Sequence, residues 1–300
     1  MLISIVIPTK NRNEILLESL DDAIKSIENF DAEIIVVNDG VAIKEFPSCK
    51  KVTLLENHQR GVSAARNKGA KAAKGDVLYF IDDDMSITPE SLLIIQNLYE
   101  QKMLEHSCFN LNWVYPAKLQ ETLKVKKIGR YILHSSYHTL EGRMHTKINP
   151  ALQINEAGGV ASCSFCISAI NFEKINGYNE KILFQGEDID IALRLQRNNI
   201  ATKIITKITC FHNQKDRLEI DEYLDRIYRG YTSQSNADMI DMSAIKQHLL
   251  SILLPFFPVI KFVYNKIPNL PFFDKLSFRL IGLLSSITYL KAIKETKRNT

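Results

Sequence analysis

Three consecutive carboxylates, Asp82-Asp83-Asp84, close the apolar run Val77-Leu78-Tyr79-Phe80-Ile81. Clustered negative charges at the tip of a buried strand repel one another and are costly to desolvate. A hard divalent cation with oxygen ligands, carrying a substrate phosphate on its other face, would compensate them. The run therefore points to a metal–diphosphate site and to chemistry on an activated nucleotide. The same residues could instead form a solvated turn that caps a helix starting near Pro89. Alone, they leave both readings open.

The elements around this run supply context. Residues 2–7 form a β-branched apolar run stopped by Pro8. Residues 13–29 carry helical spacing through Ile15, Leu16, Leu20, Ile24 and Ile27. Strand-like runs follow at 33–37, 52–55 and 77–81, with helices expected over 61–73 and 89–103. Such alternation predicts a parallel sheet with helices on both faces, binding ligands outside the carboxyl ends of its strands. Pro8-Thr9-Lys10, Asn38-Asp39-Gly40 and Asp82-Asp83-Asp84 all fall at those ends. Residues 106–155 read as irregular with a mobile loop, 161–169 as a strand, 172–175 as a short helix and 187–198 as a helix. Two short strands are expected at 201–206 and 208–211. Neither internal repeats nor a low-complexity linker stand out.

The 300 residues are 45% apolar, enough for a substantial core. The five cysteines are scattered, and the chain starts directly on a strand-like run, which fits a reducing cytoplasm. Cys163 and Cys166 have metal-like spacing but no second pair, so packed thiols are expected. The net charge of +4 is unevenly spread. From Lys246 onward nine Lys/Arg face two acids, a surplus of +7 that leaves −3 for the rest. This tail is also rich in Leu, Ile and Phe, which favours an anionic membrane surface over nucleic acid.

Five motifs in order carry a family likeness: Ser4-Ile5-Val6-Ile7-Pro8-Thr9-Lys10-Asn11-Arg12, Val36-Val37-Asn38-Asp39-Gly40, Gly61-Val62-Ser63-Ala64-Ala65-Arg66-Asn67, Phe80-Ile81-Asp82-Asp83-Asp84 and Gly186-Glu187-Asp188. Over residues 1–215 the chain resembles family 2 glycosyltransferases of the GT-A fold. Residues 176–195 resemble the branch with capsule polymerases and galactosyltransferase-type C-terminal regions. The likeness implies an α/β fold, with a Rossmann-like, mostly parallel sheet covered on both faces and a C-terminal helical extension. It implies a catalytic domain over 1–215, split into a nucleotide-binding half (1–104) and an acceptor-binding half (105–215), followed by the extension (216–300).

The likeness also implies roles. Thr9 and Asp39 would hold base and ribose, Asp82 the ribose side, and Arg66 the nucleotide or its phosphates. Pro8, Arg12, Asp83 and Glu187 would complete the nucleotide-sugar site. Asp84 and His212 would ligate Mn²⁺ or Mg²⁺, and Asp188 would be the general base of an inverting transfer. The donor would be a UDP-sugar, and the acceptor a growing surface polysaccharide or lipid-linked oligosaccharide in capsule or lipopolysaccharide assembly. Asn38 departs from the acidic residue many relatives carry before Asp39, removing one charge near the base. The chemistry asked of these residues is coherent, since a Lewis acid stabilises the leaving diphosphate and one carboxylate takes the acceptor proton. At the start of a helix, Asp188 feels a dipole favouring its charged form and acids Glu187 and Asp190 opposing it.

Several residues stay two-sided. Trp113 and Tyr115 suit either sugar stacking or strand core, and Tyr178 either acceptor contact or core. His134, His138 and His145 fit no compact metal site and are expected on loops lining the acceptor cleft. In the tail, Lys246 and Lys261 bracket fourteen residues, and the run 280–290 is also short of the ~20 needed to span. Interfacial helices on the cytoplasmic leaflet are expected, with a subdomain packed on the core or on another chain as the alternative, and a homo-oligomer remains open. A sugar-1-phosphate nucleotidyltransferase would need a Gly-rich loop after the first strand, and a dinucleotide oxidoreductase a GxGxxG; both are missing. A non-catalytic glycan- or membrane-binding scaffold would have lost the carboxylates that are present.

Overall fold

The structure is a computed structural model and describes residues 1–215, 218–236 and 242–299. It divides into two compact units. The first comprises Met1–Pro116, His138–Leu183 and Glu187–Asn213, and the second Ala117–Tyr137, Phe184–Gly186 and Gln214–Thr300.

In chain order the elements are β1 (Ile3–Thr9), α1 (Asn13–Ser26), β2 (Ala32–Asn38), β3 (Val52–Glu56), α2 (Val62–Ala72), β4 (Val77–Ile81), β5 (Met85–Ile87) and α3 (Pro89–Glu100). There follow β6 (Ser107–Val114), α4 (Ala117–Lys124), α5 (Lys127–His134), α6 (Leu140–Met144), β7 (Ile154–Glu156), β8 (Ser164–Ser168) and α7 (Ala169–Lys174). The chain then forms α8 (Glu187–Arg197), β9 (Ala201–His212), α9 (Ile220–Asn236), α10 (Ala244–Leu253), α11 (Phe257–Lys266) and α12 (Asp274–Asn299).

Among the described residues the first unit holds one nine-stranded sheet in the order β3-β2-β1-β4-β8-β6-β9-β5, with β7 added beside β9. β1 and β4 are buried along their whole length, as central strands covered on both faces must be. β1 to β4, β6 and β9 share one direction, and β5, β7 and β8 oppose it. Because β8 is antiparallel to β4, with Ser164 opposite Ile81, the residues just before β8 reach the same edge as the carboxyl end of β4. β5 pairs with the end of β9, with Met85 opposite His212. Pro8 lies past the last β1–β4 pair, Val6 with Phe80, so its missing N–H breaks no bond of that ladder.

The structure differs from the sequence expectation in places. Most of residues 106–155 are helices and strands, and the stretch 145–153 between α6 and β7 is irregular as expected. β6 is almost wholly buried, and α4 to α6 follow it. His134 ends helix α5 and stacks on Phe278 within the second unit, so it is not a loop residue. β5 and β7, at three residues each, are too short to display a period. The two strands expected after residue 200 are one strand, β9, whose register against β6 shifts between Leu111 and Trp113, an irregularity that hides its continuity.

In the second unit α10 passes through the turn Leu254–Phe256 into α11, so that Ile245–Lys266 is a 22-residue helical stretch. With Pro271–Arg298, it is long and apolar enough to cross a membrane. The sequence expectation of runs too short to span is thereby corrected, because the helices continue past the charges that seemed to end them. Leu250, Leu253, Leu254, Phe257 and Ile260 pack with Leu283, Ile287, Leu290 and Ile293 of α12. α12 also runs along the polar helix α9. Lys127 donates to the Tyr264 and Ile267 carbonyls (2.8 and 3.1 Å), and Arg130 pairs with Asp274 at 2.9 Å. Of the expected extension, residues 216–217, 237–241 and 300 lie outside the described ones.

The core beneath the carboxylate run is aromatic. Phe80 meets Phe172 at 5.1 Å and the edge of Tyr178 at 5.3 Å, inside a cluster with Val6, Phe165, Ile167, Ile191 and Leu195. Tyr178 is thus core, not an exposed acceptor contact. Truncating Phe80 to Ala removes the hub of this cluster. The expected loss is about 3–5 kcal/mol, read as a lower denaturation midpoint in a urea titration of the purified protein.

Candidate active site

β1, β2 and β4 are neighbours in the sheet, so Thr9 to Arg12, Asp39 and Asp82 to Asp84 come together at one edge. The loop carrying the carboxylates is held from below. Ser19 of α1 donates to the Asp83 carbonyl at 2.6 Å, and the Asn213 amide donates to the Asp84 carbonyl at 2.7 Å. Asp83 and Asp84 are nearly inaccessible. Arg12 binds both, through a close contact to Asp83 and a 2.7 Å bond to Asp84. Thr9 is itself buried and donates to Asp83 at 2.7 Å, so its hydroxyl is engaged in bracing that carboxylate.

Asp84 meets His212 on its other side, with Nε2 and Oδ1 3.1 Å apart. Trp113 and Tyr115 enclose the imidazole, with ring centroids 4.8 and 5.4 Å from it. Both are buried to 1% exposure, which makes them core residues that orient His212 rather than sugar platforms. Burial raises the Asp84 pKa, but His212 and Arg12 outweigh it and hold the carboxyl well below the usual range. Burial pushes Asp83 up to about 7, opposed by Arg12 and aided by its acidic neighbours.

The Asp84–His212 pair suits a metal ion. Among the described residues Asp84 Oδ1 is buried and has no well-aligned hydrogen-bond donor, the imidazole at 3.1 Å included. Two ligands about 2.1 Å from one ion and at right angles stand about 3 Å apart, which is the separation of this oxygen and nitrogen. Carboxylate with imidazole suits Mn²⁺, and carboxylate with phosphate oxygens suits Mg²⁺. Among the described residues no group of three such side chains could enclose an ion, so further ligands would have to come from substrate.

A second layer is built on Arg66 of α2. This side chain is 3% exposed and bridges Asp82 at 2.8 Å and Glu187 at 2.9 Å. Its guanidinium lies 5.4 Å from the Tyr178 ring centre. Burial disfavours its charge, but the carboxylates around it, Asp82 foremost, more than restore it. Gly61 caps the start of α2, and its φ of +115° and 3.1 Å approach to Leu183 Cα by a would-be Cβ require glycine. Asp39 pairs with Lys10 at 2.8 Å and accepts from Asn57 at 3.0 Å.

Asp188, in the first turn of α8, accepts from the Ser162 amide at 3.0 Å and contacts the Ser162 hydroxyl, both through Oδ1. Tyr178 in turn donates to Ser162 Oγ at 2.9 Å. Among the described residues Oδ2 accepts nothing, and Asp188 is only half-buried. Burial, then the Glu187 charge, raise its pKa to about 7 against the pull of Arg66. Asp190 is spent on Arg194 at 2.5 Å, so desolvation, rather than the two acids weighed from sequence, is the main cause. Ser162 and Asn57 escaped the sequence reading because a lone Ser or Asn carries no pattern. The His138 carbonyl accepts from the Tyr115 amide at 2.8 Å, and His145 caps α6 in a left-handed conformation.

Comparison with known proteins identifies the family and the fold. An uncharacterized glycosyltransferase of Haemophilus influenzae is 33% identical over 127 residues, 40% of each chain. The O-antigen biosynthesis protein RfbC of Myxococcus xanthus is 20% identical over 71% of this chain and 17% of its own. The chain thus spans well under half the length of these relatives. A crystal structure of GalNAc-T7 with UDP, GalNAc and Mn²⁺ superposes with a TM-score of 0.52 at 14% identity, covering 82% of this chain and 53% of that one. That likeness and the sheet order establish the fold as GT-A. The family model described as glycosyl transferase family 2 matches residues 4–176, more than half of the sequence, and the chain belongs to that family.

Proposed function

We propose that the first unit is a metal-dependent, inverting glycosyltransferase that moves a sugar from a UDP-sugar to a growing surface polysaccharide or lipid-linked oligosaccharide. The observation that carries this reading is the meeting, at one sheet edge, of Asp39, the run Asp82 to Asp84, His212 and Asp188. GalNAc-T7, crystallised with UDP, GalNAc and Mn²⁺, supports the donor class and the ion.

In this reading Asp39, held by Lys10 and Asn57, accepts the base imide N–H. Asp82, oriented by Arg66, receives the ribose. Asp84 and His212 hold a divalent ion that, when bound, supplies Lewis-acid stabilisation of the departing diphosphate. Arg12 lends further positive charge beside it. Asp188, fixed through Oδ1 by Ser162, takes the acceptor hydroxyl proton on its remaining oxygen. A single base opposite the leaving group gives direct displacement and inversion. Ser162, Tyr178 and Glu187 act by positioning.

The second unit is read as lying on the cytoplasmic face of the cell membrane. Ile245, Leu249, Ile252, Phe256, Val259 and Phe262 repeat at helical spacing and are 55–77% exposed. The opposite face packs on α12. α12 cannot cross a bilayer without taking in α9, which carries Asp221, Glu222, Asp225 and Arg229. This favours an interfacial seat over a span.

The first test is calorimetric titration with UDP, GDP, CDP and TDP, each with Mn²⁺ and with EDTA. UDP should bind tightly only with the ion, and equal binding in EDTA would remove metal from the reading. Asp188→Asn should leave the UDP Kd within a few-fold and lower kcat by about 10³-fold; near-normal turnover would displace Asp188 as base. The wild-type kcat should climb about tenfold per pH unit below 7 and level off above it, because only the deprotonated carboxylate, whose pKa is raised to about 7, accepts a proton. The same shift lowers stability as pH rises from about 4 to 7, since the folded state holds the proton longer than the unfolded chain.

A further inference from the structure

We infer that the second unit carries a binding site for the phosphate headgroup of an anionic phospholipid, formed by Lys275 and Arg279 beside the stacked His134 and Phe278 rings. The inference rests on the interfacial reading above and adds a defined site to it. A cavity of about 670 Å³ opens where the end of α5 faces the start of α12, lined by Tyr131, His134, Ser135, Lys275, Phe278 and Arg279.

Three observations select the ligand. Lys275 and Arg279 stand one turn apart on one face of α12, and among the described residues neither has an acidic partner or any hydrogen bond. The nearest acid in sequence, Asp274, is already taken by Arg130. Two uncompensated cations within the first two turns of α12 therefore face a cavity. The cavity wall is aromatic, with the His134 and Phe278 rings stacked at 5.0 Å and Tyr131 5.6 Å from Phe278. Finally, apolar residues share the face of the cations. Phe272, 88% exposed, lies three residues before Lys275, and Leu276, 48% exposed, three residues before Arg279. A soluble anion gains nothing from a bare phenylalanine beside its site. A headgroup at a bilayer surface sits where such side chains enter the acyl boundary while Lys and Arg reach the phosphate. The exposed stripe from Ile245 to Phe262, in the same unit, is a second apolar surface for that bilayer.

The test is cosedimentation of the full chain with vesicles of pure phosphatidylcholine and of phosphatidylcholine with phosphatidylglycerol. The wild type should prefer the anionic vesicles. Lys275→Gln with Arg279→Gln, both exposed and with folding checked by circular dichroism, should lose about thirtyfold in affinity for them, about fivefold per cation. Binding to neutral vesicles should not change. Lys44→Gln with Lys50→Gln, exposed in the first unit, should stay within twofold. Phe256→Gln with Phe262→Gln should weaken binding to both vesicle types. If the Lys275/Arg279 variant binds anionic vesicles like the wild type, the headgroup site is overturned and the interfacial reading stands. If the wild type binds neither vesicle, both fall. If inorganic phosphate binds the wild type as tightly as the anionic vesicles do, and the variant loses it, the ligand is soluble phosphate and the lipid assignment is overturned.

Discussion

Five carboxylates, Asp82, Asp83, Asp84, Glu187 and Asp188, crowd one edge of the sheet, and two arginines hold the first four of them. Arg66 spans Asp82 and Glu187, and Arg12 spans Asp83 and Asp84. Arg66 has almost no access to solvent and cannot trade its partners for water. Losing one member of such a buried pair leaves an uncompensated charge, generally worth about 3–5 kcal/mol. The edge is therefore assembled as a unit. α1 must come close enough for Arg12 and Ser19 to reach the loop after β4, α2 close enough for Arg66 to reach both β4 and α8.

The packing below the edge turns similar carboxyl groups into different chemical species. Asp84 lies between a guanidinium and an imidazole and stays ionised far below neutrality. Asp188 receives hydrogen bonds from Ser162 but is partly desolvated beside Glu187, which lifts its pKa to about 7. One is suited to holding a cation, the other to exchanging a proton near neutral pH. Tyr178 links the two layers, because its ring supports Phe80 under the run and its hydroxyl supports Ser162 under Asp188.

The second unit solves a different problem. Its helices bury one set of apolar faces on α12 and leave another set open. Scattered exposed leucines are ordinary on soluble proteins, but a helical stripe of six large side chains is not. In the proposed reading that stripe and the basic surplus of the tail both face a bilayer surface.

Much of the first unit was legible in the chain. Its strands 77–81 and 33–37 read directly as buried β-branched runs, and the polar clusters following the first, second and fourth strands of the fold were visible because each ends an apolar segment. Local pattern failed where a residue's state depends on distant neighbours. Trp113 and Tyr115 look alike as core or as sugar platforms until β9 brings His212 against them. Thr9 resembles a ligand contact until Asp83, seventy-four residues away, claims its hydroxyl. Ser162 carries no signal at all until α8 delivers Asp188. The tail helices looked short because charge spacing was taken as helix length, whereas a helix continues past a lysine that can turn to its open side. The sequence alone determined which residue types stand at the strand ends and how apolar the tail is, since both are properties of consecutive residues. The tertiary structure decided which carboxylate is ionised, which hydroxyl is occupied and which apolar face stays bare, because desolvation and hydrogen bonding depend on what lies across the fold.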